Sequence, residues 1–137
     1  MKIKVIYLIL ITCCCFLFAC EEAPTELSEI TDNSSLEEDD QLLSQLYNEI
    51  FDLASKYDCS DPSDWSYTPI GSKACGGPFG YIAYSNQLNE QEFLNLVIHY
   101  TKQQEIYNTK WGIGSDCSLI TQPTGIECVD GVAKLIY

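Results

Sequence analysis

The chain contains no arginine, one histidine and one methionine among its 137 residues. Its basic side chains are seven lysines, set against 20 acidic residues, which gives a formal net charge of −13 at pH 7. Proteins that bind nucleic acid need a positive surface to replace the counterions of the phosphate backbone. The charge balance therefore excludes nucleic acid as a partner.

The scarcity of histidine also limits the chemistry that the chain can perform. A Ser-His-Asp or Cys-His site would have to use His99, and a metallohydrolase needs more ligands than one histidine supplies. The cysteines have no Cys-x-x-Cys spacing of the kind that binds zinc. A single histidine on a helix is more typical of packing than of catalysis. The sequence thus predicts no catalytic residue, no metal site and no cofactor.

The one long apolar run lies at the N-terminus, between Val5 and Ala19, after a start that carries Lys2 and Lys4. This is the arrangement of an export signal. The run has 15 residues, whereas a helix needs about 20 to cross a bilayer. It ends in Leu17-Phe18-Ala19-Cys20, which resembles the lipobox of bacterial lipoproteins. We therefore expect residues 1–19 to be a signal peptide and Cys20 to carry lipid. The alternative is an ordinary signal peptide with an incidental cysteine.

Residues 20–40 form the next segment, which we expect to be the lipidated cysteine followed by a flexible acidic tether. Nine acidic residues and no basic residue lie between Glu21 and Asp40, and such self-repelling segments do not fold alone. The triplet Cys20-Glu21-Glu22 resembles the acid-rich surface-export signals of Bacteroidota lipoproteins, although a plain spacer would look the same. These features predict a protein anchored by lipid at the outer membrane or the cell surface.

Residues 41–137 are predicted to be one small α+β domain, in which two helices pack on a small antiparallel sheet. The first helix is expected to begin near Ser35, with Ser34 or Ser35 as its cap. Its apolar residues recur at steps of three and four up to Tyr57. The second helix is expected to run from about Asn89 to Trp111. Residues 59–79 carry several glycines and prolines, which predict a loop.

The C-terminal part of the domain is predicted to be a three-stranded meander that begins near Cys117. Asp130-Gly131 between two apolar runs indicates a two-residue hairpin turn. This turn would place Glu127 opposite Lys134 on one face of the sheet. The other face, turned to the core, would carry four less polar side chains: Ile126, Cys128, Ala133 and Leu135.

Four cysteines remain once the signal peptide is removed and Cys20 is lipidated: Cys59, Cys75, Cys117 and Cys128. An even number of cysteines in a small exported domain is typical of disulfides, here two, with three possible connectivities. The simplest is pairing between neighbours, Cys59 with Cys75 and Cys117 with Cys128. The second of these bonds requires a one-residue bulge or an asymmetric turn in the meander.

The stretch Trp65-Ser-Tyr-Thr-Pro-Ile-Gly-Ser-Lys-Ala-Cys75-Gly-Gly-Pro78, followed by Ser115-Asp116-Cys117, Pro123 and Cys128, resembles a group of small uncharacterised lipoproteins and secreted proteins of Bacteroidota. The likeness spans roughly residues 57–135. It implies an exported protein in which Trp65 and the cysteine-glycine turn form one structural unit. It implies no activity.

The aromatic content is the only feature of the composition that suggests a function. Trp65, Tyr67, Phe79 and Tyr81 lie near the loop-rich middle of the chain and would suit a recognition surface, although they would equally serve as core. We therefore expect a non-enzymatic binding or inhibitory module that engages a protein or a glycan. The alternative is a small envelope hydrolase that uses carboxylates and His99.

Overall fold

The computed structural model describes residues 27–137. The predicted signal peptide, the predicted lipidation site at Cys20 and the first residues of the predicted tether lie outside this range. In chain order the elements are helix α1 (Leu36–Ala54), a 3-10 helix (Pro62–Asp64), strands β1 (Trp65–Ile70) and β2 (Gly80–Ser85), helix α2 (Glu90–Trp111), and strands β3 (Gly125–Val129) and β4 (Val132–Ile136). The predicted α+β class with two helices is confirmed.

Helix α1 begins where the sequence predicts. The Ser35 hydroxyl accepts the backbone N–H of Glu38, and the Glu38 carboxylate accepts the backbone N–H of Ser35 at 2.7 Å. This capping box satisfies two backbone donors that the first turn leaves free. Hydrogen bonds from Ser35 hold the pKa of Glu38 below its ordinary value. Leu43, Leu46 and Ile50 form the buried face of the helix.

Helix α2 is capped by Asn89 and ends at Gly112, whose φ of 61° is the left-handed conformation that glycine adopts most readily. It runs antiparallel to α1, because Tyr107 bonds Asp40 whereas the rings of Tyr100 and Tyr47 lie 5.8 Å apart. The core lies between the two helices and the first pair of strands. Its buried residues include Leu43, Leu46, Ile50, Ile70, Tyr84, Phe93, Leu96, Val97 and Tyr100.

The predicted single sheet is wrong, because the strands form two separate two-stranded antiparallel sheets, β1-β2 and β3-β4. Residues 117–121, expected to be the first strand of the meander, lie in a segment, 113–124, that contains no helix or strand. Cys117 in this segment has a φ of 53°, which is incompatible with an extended strand. Strand β1 lies in the predicted loop. Its Pro69 is tolerated because β1 is an edge strand.

The register predicted for the last hairpin is confirmed. Val129 pairs with Val132 and Glu127 pairs with Lys134. Asp130 and Gly131 both have positive φ, 53° and 79°, as a type I′ turn requires. The face that carries Ile126, Cys128, Ala133 and Leu135 is half-buried, whereas Glu127 and Lys134 are exposed.

Two disulfides are present, as predicted, but the predicted pairing between neighbours is wrong. The bonds join Cys59 to Cys128 and Cys75 to Cys117. Since Cys117 does not lie on a strand beside β3, it cannot face Cys128 across a ladder. The hairpin instead docks on the loop after α1, where the Cys59 N–H donates to the Gly131 carbonyl at 2.7 Å.

The segment assigned to the tether contributes to the fold over residues 27–40. Ile30 is buried in the core cluster, and Leu36 already begins α1. Asp39, grouped by sequence with a solvated acidic run, is 1% exposed. The folded domain therefore includes residues ahead of position 41. Ile30 bonds Gln103 of α2 through its backbone, and the Asp39 carboxylate pairs with Lys110 of α2.

Candidate functional site

A groove of about 500 Å³ lies between the second half of α1 and strands β2 and β4. Helix α1 contributes Tyr47, Phe51 and Ala54, which are spaced four and three residues apart. Tyr47 and Phe51 lie beside the buried face of the same helix, to which Ala54 belongs. Strand β2 and the last hairpin form the opposite wall. The principal lining residues are Tyr47, Phe51, Tyr57, Asp58, Trp65, Tyr81, Ala83, Val132, Lys134, Leu135 and Tyr137.

Large apolar side chains on the groove are open to solvent. Phe51 is 53% exposed, Val132 is 57% exposed and Tyr137 is 63% exposed. A single exposed apolar residue is ordinary on a protein surface, but a contiguous group around a concavity is typical of an interaction site. Phe51 belongs to α1, Val132 begins β4 and Tyr137 follows its last residue, so the fold brings them together from distant parts of the chain.

Strand β4 presents an unpaired backbone edge to the groove. The two-residue turn makes Val129 and Val132 a hydrogen-bonded pair, and such pairs alternate along an antiparallel ladder. The N–H and C=O groups of Ala133 and Leu135 must therefore point away from β3. Within residues 27–137 these two residues make no backbone hydrogen bond to β2.

Strand β2 presents a second unpaired edge on the other side. The Asn86 N–H donates to the Asp64 carbonyl at 2.8 Å, and alternation from this bond directs the N–H and C=O groups of Tyr81 and Ala83 away from β1. Pro69, which lacks an N–H, lies opposite Tyr81, where the ladder needs no donor. Cα atoms of β2 and β4 approach within 8 Å. Among residues 27–137, β2 and β4 thus each border the aromatic groove with an edge that has no backbone partner.

The four aromatic residues predicted as a recognition surface do not form one surface. Trp65 and Tyr81 line the groove, Trp65 as a buried floor with 9% exposure. Tyr67 packs its ring edge-on to Tyr81, and its hydroxyl donates to the Pro123 carbonyl at 2.8 Å. Phe79 is 61% exposed but lies with residues of α2 in a different depression. The structure thus places two of the four predicted residues, Trp65 and Tyr81, on the same groove.

Sequence reasoning missed Phe51, Val132 and Tyr137. A signal for Phe51 was available, because Tyr47 and Phe51 are four residues apart and lie off the buried stripe of α1. No comparable signal existed for Tyr137, because its place on the groove depends on how the last hairpin docks on α1. The disulfide from Cys59 to Cys128 ties the hairpin to the loop after α1, and sequence alone does not assign that bond.

His99 makes a hydrogen bond to the protein backbone. Its Nε2 lies 3.0 Å from the carbonyl oxygen of Ser28, and since a carbonyl only accepts, the imidazole donates. None of its hydrogen-bond partners within residues 27–137 is a carboxylate. The same range contains no group of three or more His, Cys, Asp or Glu side chains placed to hold a metal ion.

Two carboxylates that a hydrolase could have used, those of Asp61 and Asp116, serve local structure. Asp61 accepts the backbone N–H of Ser63 at 2.9 Å and caps the 3-10 helix. Asp116 lies 2.7 Å from the ammonium of Lys73. The hydrogen bond from Lys73, followed by those from Ser118, lowers the pKa of Asp116 to about 2. A carboxyl group with so low a pKa is unsuited to act as a general acid at neutral pH.

Comparison of the chain with protein-family models, with curated proteins and with solved structures finds no match. None of the helices in residues 27–137 combines the length and apolar character needed to cross a membrane. The geometry of the groove, with its exposed side chains and strand edges, is therefore the basis for proposing a function.

Proposed function

We propose that the protein is a lipid-anchored binding module of the bacterial cell envelope that captures a polypeptide partner in the groove between α1, β2 and β4. The observation that carries this proposal is the combination of exposed apolar side chains, at Phe51, Val132 and Tyr137, with an unpaired strand edge at Ala133 and Leu135. Each feature alone is common, whereas the two together suit one class of ligand.

An extended polypeptide is the ligand that uses both features. Its backbone adds a strand to a free sheet edge, and its alternate side chains enter the pockets beside that edge. Aromatic side chains are also enriched at protein interfaces, where they supply large contact areas. On this account Ala133 and Leu135 hydrogen-bond the partner's main chain, and Phe51 and Tyr137 contact its side chains.

The charges at the groove indicate what else the partner carries. Asp58 lies at one end, with its carboxylate next to Gly131, and Lys134 lies on β4. The chain as a whole carries a formal net charge of −13. A partner segment with apolar residues and at least one basic residue therefore matches the groove better than an acidic segment does.

The proposed place in the cell rests on two features. The N-terminal run that ends in Ala19-Cys20 has the pattern of a lipoprotein signal, which supports lipid attachment at Cys20. The two disulfides support an oxidising compartment outside the cytoplasm, where such bonds persist. Anchoring at the outer membrane or the cell surface follows from the two together.

The test is enrichment of partners from an envelope extract on an immobilised domain of residues 27–137, with identification by mass spectrometry. The matched variants are Phe51→Ser with Val132→Ser, which removes apolar contacts at the groove, and Leu119→Ser, which removes an apolar side chain that is 96% exposed elsewhere. We expect a protein retained by the wild type and by Leu119→Ser and lost from the double variant. Retention of polysaccharide alone, or equal retention by all three, contradicts the proposal.

A further inference from the structure

A strap made of residues 27–35 runs along the outer side of α2. The Ser28 carbonyl accepts from His99, and the Ile30 N–H donates to the side-chain carbonyl of Gln103 at 2.8 Å. Further along, the Lys110 ammonium binds the Thr31 carbonyl at 2.7 Å. Ile30 itself is buried. The strap is therefore part of the domain and follows α2 from its middle to its C-terminal end.

The strap leaves little chain between the domain and the proposed lipid attachment. Leu27 follows Cys20 by seven residues. Even a fully extended chain spans at most about 25 Å over seven residues, at 3.6 Å per residue. With lipid on Cys20, the first residue of the strap stays within about 25 Å of the lipid surface, and His99, which bonds the strap, stays close to it as well.

Two exposed apolar side chains lie near the start of the strap, one on α2 and one on the strap itself. Ile98 precedes His99 and is 64% exposed, and Leu27 is 43% exposed. Next to Ile98 lies an apolar groove of about 690 Å³ between α2 and the loop of the first hairpin, lined in part by Leu94, Pro69 and Pro78. This surface lies on α2, whereas the proposed recognition groove lies between α1 and the strands.

We propose that this apolar surface, formed by Ile98 on α2 and Leu27 on the strap, rests against the lipid bilayer to which the protein is attached. The inference rests on the lipid attachment at Cys20 proposed above. Apolar side chains on a helix that lies in the interface plane enter the boundary between headgroups and acyl chains. A short connection from Cys20 keeps the face close enough for this contact to persist. The bilayer then limits the orientations that the domain adopts.

The charges near this face specify the kind of lipid. Lys102 and Glu105 both line the groove, so the face carries no excess of positive charge. Anionic lipids, which attract basic clusters, therefore give no advantage. The partner surface is a zwitterionic one.

The experiment uses the full lipidated chain in vesicles of phosphatidylcholine and phosphatidylethanolamine. A nitroxide is attached through a keto amino acid, which leaves the disulfides intact, in place of Ile98 or, as the matched control, in place of the exposed Gln45 on α1. Accessibility to oxygen, relative to a water-soluble nickel chelate, reports contact with lipid. We expect this ratio to be at least about threefold higher at position 98 than at position 45. Equal ratios overturn the proposal.

Two further arms keep the result unambiguous. If the unlipidated chain without vesicles also gives a high ratio at position 98, a second copy covers the face and the proposal is overturned. Ile98→Asp, a change at an exposed position, should abolish the vesicle-dependent slowing of amide exchange in residues 94–102, and persistence of that slowing contradicts the proposal. Palmitate labelling of the same samples tests the attachment itself. Its absence removes this inference and the anchor, and leaves the α1 groove to its own test.

Discussion

Asp39 is the residue at which the strap and both helices meet. Its carboxylate accepts from the Lys110 ammonium at 2.7 Å and from the Trp111 indole at 2.9 Å, and the same ammonium binds the Ser34 carbonyl. Burial alone would raise the pKa of Asp39, but the hydrogen bonds from Lys110, Ser34 and Trp111 hold this pKa below its ordinary value. A buried pair of this kind joins the elements while all its partners are present.

Replacing Asp39 with asparagine is expected to lower the free energy of unfolding by about 3 kcal/mol, because it leaves the Lys110 charge without its counter-charge. Urea unfolding of residues 27–137 at pH 7 measures the change. The control is Asp40→Asn, next along the chain, which is exposed and accepts one bond from Tyr107. We expect its effect to be below about 1 kcal/mol. Equal effects of the two changes would show that the Asp39 pair has no special role.

The same carboxylate predicts a dependence of stability on pH. Since folding lowers the pKa of Asp39 below its ordinary value of 3.8, its ionised form stabilises the fold above that pH. The contribution is lost as the pH falls through the folded pKa. The difference in unfolding free energy between wild type and Asp39→Asn should therefore be constant from pH 7 to about pH 5 and should shrink below pH 4. A difference that grows in acid would contradict this assignment.

Trp65 and Phe51 line the same groove but should respond in opposite ways to alanine. Trp65 is 9% exposed and Phe51 is 53% exposed. Trp65→Ala is expected to lower the unfolding free energy by about 3 to 5 kcal/mol. Phe51→Ala is expected to change it by less than about 1 kcal/mol while weakening partner binding by about 2 kcal/mol. Thermal melts and partner titrations separate the two, and a Phe51 variant that unfolds early but binds normally would contradict the account.

At the scale of elements, sequence reasoning succeeded where one local signal determines the structure. The capping box at Ser35 and Glu38 places the start of α1, and the Asp130-Gly131 turn sets the register of the last hairpin. Both follow from hydrogen bonds and dihedral angles within a few residues. Such signals need no knowledge of the rest of the fold.

Prediction from the sequence failed where contacts between distant residues determine the structure. Pro69 suggested a loop, yet β1 accommodates it opposite Tyr81 because no donor is needed there. Cys117 suggested a third strand of the meander, but its positive φ and its bond to Cys75 hold it elsewhere. For the candidate groove, sequence pointed to Trp65 and Tyr81, whereas its exposed residues come from elements that only the docked hairpin brings together.

The two disulfides are expected to protect different elements. Chain-entropy arithmetic for sequence separations of 69 and 42 residues gives about 4 kcal/mol for each bond. Removing the pair Cys59 and Cys128 with serine should also free the last hairpin, so that amides of residues 125–136 exchange faster. Removing Cys75 and Cys117 should leave those amides protected.

Hydrogen exchange on the two double variants, read by peptide, measures this difference. Fast exchange of the hairpin in both variants, or in neither, would show that the bond from Cys59 does not hold the hairpin on α1. In that case the groove would depend on packing alone, and its shape would not require the disulfide.

At the scale of the whole molecule, the proposed lipid anchor and the proposed binding groove lie in different parts of the chain. Nine of the 20 acidic residues lie between Glu21 and Asp40, whereas the proposed recognition groove presents apolar side chains and backbone edges of the folded part. The strap along α2 joins the two, which leaves seven residues between Cys20 and the first contact with the domain. On this account the protein holds its groove close to the membrane.

Lipid attachment predicts the behaviour of the Cys20→Ser variant. The wild type should incorporate labelled palmitate and partition into detergent, because its cysteine provides the acylation site. The variant should do neither, while the disulfide-bonded domain folds as before. Palmitate incorporation by the variant, or detergent partitioning equal to that of the wild type, would show that the lipobox interpretation is wrong.

The central claim is that the groove between α1, β2 and β4 captures a polypeptide, and photo-crosslinking in living cells tests it most directly. A photoreactive amino acid replaces Phe51 on the groove or, as the matched control, Gln45 on the exposed side of α1, in the full lipidated chain. The account predicts one discrete protein adduct from position 51, absent from position 45 and removed by adding Val132→Ser. Adducts of equal yield from both positions, or adducts to polysaccharide or lipid alone from position 51, would contradict it.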